Sequence, residues 1–359
     1  MSPGEVPDTP LRCSACARRF EINRKIPWCD CGGLFDLVFE PSSFEVDPDE
    51  FSMWRYRSML PTGNRVSLGE PITPISTIRL AERSVDAKFD FLFPTGSFKD
   101  RGSAVFVSAL QEAGIERFIE DSSGNAGASM ATYAARAGID CEIYCPASAS
   151  GPKLAQVERA GAVIHRIEGP RRRATEALSR RVGDTFYASH NWHPLFLHGT
   201  KTLAYEIAEQ HGWDPPAHIV SPAGGGAVIL GLQLGFSELY RLGRIGSIPA
   251  LYAVQAEASA PLVQDLVEPR PSLAEGILSP NAPRLGRLRE AIAGASMVSE
   301  PEIEEGFRAM ARQGVHVEPT TAVLYFGVGK LDIPADERIL VILTGSGIKF
   351  EPAPAVFES

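Results

Sequence analysis

Short apolar runs alternate with longer alanine-rich stretches of helical periodicity over most of the chain. The apolar runs that predict β-strands are RFIEDSS, DCEIYCP, AVIHRI, HIVSPA, LYAVQAE and ILVILTGSG. The stretches that predict helices include MATYAARAG, PKLAQVERAG and VILGLQLGFSELYRLG. Strands that alternate with helices in this way predict a largely parallel, covered sheet, and therefore an α/β fold. Ligands of such sheets bind beyond the carboxyl ends of the strands, so we expect the functional site in the Gly- and Ser-rich turns there.

Two further segments carry structural predictions only. FSMWRYRSMLPTG, residues 51–63, predicts an amphipathic helix that Pro61 and Gly63 end. Ser299 and Glu302 have the spacing of a capping box, which predicts that a helix begins at this point. Neither segment indicates a function.

The composition is that of an ordinary globular protein, with 44% hydrophobic and 22% charged residues. The formal net charge of −9 argues against a nucleic-acid backbone as the main partner. The N-terminus lacks a basic stretch followed by an apolar one, and no segment approaches the roughly 18 consecutive apolar residues of a membrane span. We therefore expect a soluble, cytoplasmic protein without nucleic-acid or membrane partners.

One lysine stands where local stability does not explain it. In PTGSFKDRG, residues 94–102, Lys99 lies on a short loop that leads straight into the apolar-rich stretch SAVFVSALQEAG. The helix dipole favours anions at a helix N-terminus, so a lysine gains little there. A solvated surface lysine is the alternative interpretation, but the position indicates a chemical role.

A glycine-rich loop follows one of the predicted strands. SPAGGGAVILG places Gly224, Gly225 and Gly226 before a helix, where bare backbone N–H groups can hold a phosphate. The spacing matches neither G-x-G-x-x-G nor the Walker-type loop, which argues against an ordinary dinucleotide or nucleotide site.

Two other loops carry polar groups at strand ends. DSSGNAGAS offers hydroxyl, amide and N–H groups that can bind a carboxylate. The alternative is that Ser123 or Asn125 merely caps the following helix. LTGSGIK places the uncharged hydroxyls of Thr344 and Ser346 after an apolar strand.

Together with Lys99, these loops resemble the fold-type II family of pyridoxal phosphate (PLP) enzymes, and within it the threonine synthase-like branch. The resemblance spans about residues 65–350 in the family's order of lysine loop, asparagine loop, glycine loop and hydroxyl-bearing loop. The segment SFKDRG is its most specific part. It implies an α/β fold of the tryptophan synthase β type, with two parallel-sheet domains and a small N-terminal Cys-rich ribbon.

The resemblance also implies a domain division. Residues 1–50 form the Cys-rich segment, residues 51–110 and 190–359 form a large PLP-binding domain, and residues 111–189 form a small mobile domain that carries the Asn125 loop. Dimers are common in the family, so a homodimer is the implied assembly.

Each loop takes a role by resemblance. Lys99 would bind PLP covalently and, once the substrate releases it, act as the catalytic proton shuttle. The residues implied to bind the cofactor are Lys99, Asn125 at the phenolate oxygen, Gly224, Gly225, Gly226 and Ala227 at the phosphate, and Thr344 at the pyridine nitrogen. The residues implied to bind the amino-acid substrate are Ser122, Ser123, Gly124, His190 and Asn191. A hydroxyl at the ring nitrogen leaves PLP a weaker electron sink, which suits elimination and replacement at the substrate's side chain.

The implied activity is that of a lyase of amino-acid biosynthesis that converts O-phosphohomoserine to threonine and phosphate.

Two positions depart from the family pattern. Phe196 stands where an arginine is expected to bind the substrate's phosphate, and a phenyl ring cannot offset the desolvation of a dianion. Glu70, in GEPITPI, stands where asparagine is common, and its charge would repel a phosphate. The alternatives are a serine or threonine dehydratase, a β-replacement enzyme acting for example on O-phosphoserine, and a PLP-binding protein without turnover.

Four of the six cysteines cluster near the N-terminus. Cys13 and Cys16 form C-x2-C, and Cys29 and Cys31 form C-x-C, so two close pairs of thiols could make a tetrahedral zinc site. Four protein ligands leave no open position, so such a zinc ion would be structural. Reduced thiols without a metal are the alternative. The other two cysteines lie in a strand-like run and are expected in the core.

Overall fold

The computed structural model describes residues 10–350 apart from 148, 150, 170, 266, 267 and 280, and for residues 171 and 172 it describes the backbone alone. The strands are β1 (Leu11–Cys13), β2 (Arg19–Phe20), β3 (Phe35–Leu37), β4 (Ile75–Leu80), β5 (Arg83–Lys88), β6 (Arg117–Glu120), β7 (Asp140–Pro146), β8 (Val163–Ile167), β9 (Phe186–Tyr187), β10 (His218–Pro222), β11 (Ala250–Ala256), β12 (Gly294–Val298) and β13 (Ile339–Ile342).

The α-helices are α1 (Lys99–Glu112), α2 (Asn125–Ala137), α3 (Pro152–Arg159), α4 (Arg171–Ser179), α5 (Pro194–Thr200), α6 (Thr202–Gln210), α7 (Ala227–Arg241), α8 (Leu285–Ala291), α9 (Glu300–Arg312), α10 (Pro319–Ala322) and α11 (Leu324–Gly327). Short 3-10 helices lie at Met53–Met59, Glu275–Ile277, Val328–Lys330 and Gly347–Lys349. Among the described helices, none combines the length and the apolar character needed to span a bilayer.

The chain divides into two compact units. One comprises the described parts of Met1–Pro71 together with Lys99–Thr202, and the other comprises Ile72–Phe98 with the described parts of Leu203–Ser359. We call them the lysine unit and the glycine unit, after the loops they carry. These bounds place residues 99–110 with the lysine unit because α1 packs against α2 and α5. The three-part domain division implied by the resemblance stays a prediction.

The lysine unit contains a four-stranded, fully parallel sheet in the order β8-β7-β6-β9. Its central strands β6 and β7 are almost wholly buried, as expected for a parallel sheet covered on both faces. Cys141 and Cys145 lie in β7 and are buried, which confirms the prediction that they belong to the core. The N-terminal cysteine segment forms a separate antiparallel sheet in the order β2-β1-β3.

The glycine unit contains a six-stranded sheet in the order β12-β11-β10-β13-β5-β4. Its strands are parallel except for β4, which pairs antiparallel with β5 at the edge. All four residues of β13 are buried, and side chains of β10, β11 and α9 complete the core around it. Burying each branched apolar side chain there stabilises the fold by roughly 1.5–3 kcal/mol.

The structure confirms most of the local predictions. The six apolar runs contain β6, β7, β8, β10, β11 and β13, and the capping box at Ser299 begins α9, with Glu302 accepting the N–H of Ser299 at 2.8 Å. The prediction of an amphipathic helix over residues 51–63 was wrong about the kind of helix. This segment forms a 3-10 helix at Met53–Met59, whose backbone leaves helical geometry at Tyr56 (φ −100°, ψ 22°).

Candidate functional site

Lys99 is the first residue of α1, and the two residues after it are buried and bonded. The carboxylate of Asp100 accepts a hydrogen bond from the Ser129 hydroxyl at 2.6 Å. Arg101 donates to the hydroxyl of Thr202 at 3.1 Å. Lys99 itself is half-buried, and its Nζ lies 5.7 Å from the centroid of the Phe196 ring. The lysine therefore stands on a helix start that its neighbours hold rigidly, unlike a solvated surface lysine.

The Ser122–Asn125 loop joins the end of β6 to the start of α2. Gly124 occupies the N-cap position of α2, and no side chain caps this helix. The hydroxyl of Ser122 instead accepts the N–H of Gly124 at 3.3 Å. The alternative that Ser123 or Asn125 caps the helix was therefore wrong, because the cap position falls on a glycine between them. Gly127 is required for the close approach of loop and helix, since a Cβ there would lie 1.7 Å from the carbonyl oxygen of Ser122.

His190 is held by a carboxylate that the sequence did not single out. Its Nδ1 lies 2.6 Å from Oε1 of Glu120, at the end of β6, and both side chains are buried. The ring of His190 lies 5.7 Å from the ring of Phe196. Asn191 follows at a half-buried position. Two of the residues singled out from the sequence, Lys99 and His190, thus lie near the same phenyl ring within the lysine unit.

Phe196 is fully buried on α5 and packs directly against α1. A Cβ added at Gly102 would lie 2.5 Å from the Phe196 ring, so the ring fills the space beside the first turn of α1. No hydrogen-bond donor can come from this side chain, which is the position where the family pattern leads us to expect an arginine.

The environment of Glu70 differs from the one that the family pattern suggested, in which its charge would repel a substrate phosphate. Its carboxylate is fully buried and is enclosed by donors of the lysine unit. These donors are Trp54 Nε1 at 2.8 Å, Ser67 Oγ at 2.6 Å, the N–H of Leu68 at 2.7 Å and the Tyr133 hydroxyl at 2.6 Å. Burial also raises the pKa of Tyr133, which remains a donor. Glu70 therefore ties its own segment to α2, and the expected repulsion of a substrate phosphate does not apply to a carboxylate enclosed in this way.

In the glycine unit, the loop after β10 leads into α7. A Cβ at Gly224 would lie 2.7 Å from the Cα of Ile277, so only glycine fits there. Gly226 is the N-cap of α7 with φ +85°, a conformation that favours glycine. The first turn of α7 has neither a side-chain cap nor an acidic residue. This positive helix end, which begins at Ala227, is suited to an anion such as a phosphate.

Thr344 lies just beyond β13 in the glycine unit. Its carbonyl oxygen accepts the N–H of Phe98 at 3.1 Å, and Lys99 is the next residue in the chain. The N–H of Ser346 donates to the carbonyl of Gly96 at 3.0 Å. The loop that precedes the lysine is thereby fixed to the hydroxyl-bearing loop by backbone hydrogen bonds.

The hydroxyl of Thr344 has a partner that the sequence did not indicate. Its Oγ1 lies 2.9 Å from Oγ1 of Thr321, which is fully buried on α10. No sequence pattern marks Thr321, because the contact joins residues that are 23 positions apart.

The four N-terminal cysteines converge, as their spacing predicted. All four Sγ atoms lie within 4.8 Å of one another, with 3.6 Å between Cys13 and Cys31 and 3.6 Å between Cys16 and Cys29. Burial opposes ionisation of Cys13, but the N–H groups of Cys16 and Ala15 outweigh it and lower the pKa of Cys13 to about 6. Four thiol groups at such distances form a donor set suited to a tetrahedral zinc ion.

Comparison with known proteins decides the family. The family model described as "Pyridoxal-phosphate dependent enzyme" matches residues 66–345. The chain belongs to this family. A threonine synthase of Methanocaldococcus jannaschii is 30% identical, with 96% of this chain and 94% of the relative covered. A threonine synthase of Methanosarcina acetivorans is 33% identical, with 94% and 92% covered.

The fold agrees with this assignment. The solved structure of a cysteine synthase from Entamoeba histolytica superposes with a TM-score of 0.70 at 20% identity, and covers 80% of this chain and 88% of that one. The predicted fold, a fold-type II PLP enzyme, is thereby confirmed, and the chain is a PLP-dependent, threonine synthase-like lyase.

The residues present fit PLP. The positive end of α7 is suited to a phosphate, and the Thr344 hydroxyl, which contacts Thr321, can both donate and accept a hydrogen bond. Lys99 offers a half-buried amine at the start of a rigid helix. These are the three kinds of group that the cofactor's phosphate, ring nitrogen and aldehyde carbon require.

Proposed function

We propose that this enzyme converts O-phosphohomoserine and water to threonine and phosphate. The observation that carries the proposal is its similarity to threonine synthases over more than nine-tenths of both chains. The uncharged hydroxyl of Thr344 supports it, because a ring nitrogen without a carboxylate partner favours elimination and replacement at the side chain.

The lysine unit binds and processes the substrate in this proposal. When bound, PLP supplies the electron sink for loss of a proton from the substrate's α-carbon. Lys99 holds the cofactor and moves protons at its Nζ. The hydroxyls of Ser122 and Ser123, with backbone N–H groups that follow Gly124, receive the substrate carboxylate at the uncapped N-terminus of α2. The Asn125 amide donates to the phenolate oxygen of the cofactor.

The glycine unit carries groups suited to the cofactor's two other polar ends. The backbone N–H groups of Gly224, Gly225, Gly226 and Ala227 bind the phosphate at the open end of α7. The Thr344 hydroxyl would hold the pyridine nitrogen by a hydrogen bond. Residues 111–189 act as the mobile domain that excludes water once the substrate carboxylate is bound, which protects reactive intermediates from hydrolysis.

Phe196 favours a second candidate. The threonine synthase reaction needs donors for a second phosphate, yet the side chain beside Lys99 is a phenyl ring. The substrate of a serine or threonine dehydratase carries no phosphate, so it needs no phosphate donors at Phe196. A β-replacement enzyme acting for example on O-phosphoserine has its phosphate one carbon closer to the α-carbon and need not bind it at Phe196. In the first candidate, His190 and Asn191 take over contact with the substrate phosphate, and Glu120 orients His190 for this purpose.

A substrate panel separates these candidates. The PLP-loaded enzyme is incubated with O-phosphohomoserine, O-phosphoserine, serine and threonine, with and without sulfide as the nucleophile that a β-replacement requires. Threonine, cysteine, 2-oxo acids and phosphate are quantified. Lys99→Ala, which lacks the proton-transferring amine, is expected to lose at least about 10²- to 10⁴-fold in turnover and serves as the blank. Threonine from O-phosphohomoserine alone supports the first candidate. The second is supported by 2-oxo acids from serine or threonine, or by cysteine and phosphate from O-phosphoserine and sulfide. PLP binding without any product contradicts both and indicates a binding protein.

We also propose that Cys13, Cys16, Cys29 and Cys31 hold a structural zinc ion. The compact cluster of four sulfur atoms supports this. The ion would join β1 to the turns on either side of β2 and stabilise a sheet of only eight residues.

The last proposal concerns the cellular location, the assembly and the partners of the enzyme. We propose a cytoplasmic homodimer that acts on a small amino acid and has no nucleic-acid or membrane partner. The net charge of −9 supports the lack of a nucleic-acid partner. Light scattering of the purified protein tests the dimer, and a monomer mass would contradict it.

A further inference from the structure

Thr321 is a fixed neighbour of the Thr344 hydroxyl within the glycine unit. Besides its 2.9 Å contact with Thr344 Oγ1, Thr321 Oγ1 receives two backbone N–H groups, from Thr344 at 3.3 Å and from Gly345 at 3.2 Å. The N–H of Glu318, at the N-cap of α10, donates to the carbonyl of Gly345 at 2.9 Å. These hydrogen bonds hold the segment of Glu318 and Thr321 side by side with the segment of Thr344 and Gly345.

The number of partners decides the direction of the hydrogen bond between the two hydroxyls. A hydroxyl group donates one hydrogen bond and accepts two. The N–H groups of Thr344 and Gly345 occupy both accepting positions of Thr321 Oγ1. The proton of Thr321 must then point to Thr344 Oγ1. In the opposite direction, the Thr321 oxygen would accept three hydrogen bonds, and its own proton would meet no acceptor recorded among the described residues.

A donor role for Thr344 follows. Because Thr344 Oγ1 accepts from Thr321, its own proton is available for another acceptor, and the structure records none for it within the described part of the chain. We propose that Thr321 is a positioning residue that orients the Thr344 hydroxyl to donate to the pyridine nitrogen of PLP, so that this nitrogen stays an unprotonated acceptor. The inference rests on the role proposed above for Thr344. It gives a structural cause for the weak electron sink on which side-chain elimination depends.

The test uses 15N NMR of the holoenzyme reconstituted with PLP that carries 15N at the ring nitrogen, so it does not depend on turnover. Thr321→Val keeps the shape and removes the hydroxyl, whereas Thr321→Ser keeps the hydroxyl. Thr344→Val gives the resonance of a ring nitrogen without its donor. Thr320→Val is the matched control, because the Thr320 hydroxyl lies on the same short helix but accepts from the N–H of Gly276 at 3.3 Å.

We expect the resonance of Thr321→Val to move from the wild-type position toward that of Thr344→Val, while Thr321→Ser and Thr320→Val keep the wild-type position. A shift in Thr344→Val with none in Thr321→Val overturns the positioning role. No shift in Thr344→Val overturns the role of Thr344 itself, and with it the inference. If Thr321→Val does not fold, Thr321→Ala, which also lacks the hydroxyl, takes its place with the same expected shift. A pyridinium resonance in the wild type contradicts the proposal by itself. The substrate panel is independent of all these spectra, so a wrong substrate and a wrong positioning role are distinguishable.

Discussion

Phe196 and Lys99 face one another within the lysine unit, with the amine 5.7 Å from the centroid of the phenyl ring. The ring is buried, and it fills the space over Gly102, one turn along α1 from the lysine. An apolar side chain thus occupies the place where the family pattern leads us to expect a cation. Any phosphate of the substrate must take its donors from other residues, and His190 is a candidate that a buried carboxylate holds in place.

The packing between Gly102 and Phe196 can be tested by measuring the free energy of unfolding of variants. In Gly102→Ala the added methyl carbon would lie 2.5 Å from atoms of the Phe196 ring, which is too close for van der Waals contact. We therefore expect a loss of about 1–3 kcal/mol in the free energy of unfolding. Phe196→Leu should relieve part of this loss, so the two substitutions should not be additive in a double-mutant cycle measured by urea unfolding. Gly286→Ala is the control, since nothing lies within 4 Å of a Cβ there. Equal effects of the two alanine variants would contradict the packing described.

A buried ion cluster lies in the glycine unit. Lys88 Nζ lies 2.5 Å from Glu206 Oε1, and the Thr73 hydroxyl bridges Glu206 Oε1 at 3.1 Å and Asp90 Oδ1 at 3.0 Å. Lys88→Met leaves two buried carboxylates without this cation, so we expect a loss of about 3–5 kcal/mol in unfolding free energy. Thermal and urea unfolding measure it.

The matched control for this cluster is an exposed ion pair. Arg117 Nη2 lies 2.8 Å from Asp140 Oδ2, with both side chains more than half exposed. Arg117→Met should cost only about 0–1 kcal/mol. If Lys88→Met proves no more destabilising than Arg117→Met, the buried cluster does not have the role assigned to it.

The capping box of α9 predicts a pH-dependent contribution to stability. Partial burial opposes ionisation of Glu302, but hydrogen bonds from Lys330 and Ser299 outweigh it and lower its pKa below the ordinary value of 4.5. A carboxylate whose pKa is lower in the folded state stabilises the fold above pH 4.5, and this contribution disappears as the pH falls through the folded-state pKa. Glu302→Ala should therefore cost about 0.5–2 kcal/mol at neutral pH and less in acid.

Unfolding curves of wild type and Glu302→Ala across the acidic range measure this difference. Glu305→Ala provides the comparison, because Glu305 is exposed on the same helix. A destabilisation of Glu302→Ala that is constant with pH would show that its carboxylate charge contributes nothing.

The cysteine cluster predicts about one zinc ion per chain in the purified enzyme. Cys16→Ser should lose the metal and destabilise the N-terminal sheet, because one of four ligands is gone. Cys145→Ser, in the core of β7, should keep it. Elemental analysis with circular dichroism measures both effects. Wild-type protein without zinc, prepared without chelators, would contradict the proposal.

The sequence predicted those parts of the fold that rest on local patterns. The buried strands β6, β7, β10, β11 and β13 appear as short runs rich in apolar residues, and the glycines of the loop after β10 appear as a turn. The hairpin of β4 and β5 was not predicted, because an edge hairpin exposes charged residues and its alternation is imperfect.

The partners of the site residues could not be predicted, because they depend on contacts between distant segments. Nothing in the sequence indicates that Glu70 meets Trp54 and Tyr133, so its charge was assigned to the wrong environment. In the same way, Thr321 lies in an unremarkable EPTTAV segment, and only the tertiary structure brings it to Thr344.

The central claim is that the enzyme converts O-phosphohomoserine to threonine. It is tested most directly by measuring which product takes up oxygen from water during turnover. Replacement at the side chain breaks the carbon–oxygen bond of O-phosphohomoserine, so phosphate leaves with all its oxygens and water supplies the new hydroxyl. In water enriched in 18O, the enzyme should yield equal amounts of threonine with one 18O in its hydroxyl and phosphate without the label. Homoserine with labelled phosphate, or no release of phosphate at all, would contradict the account.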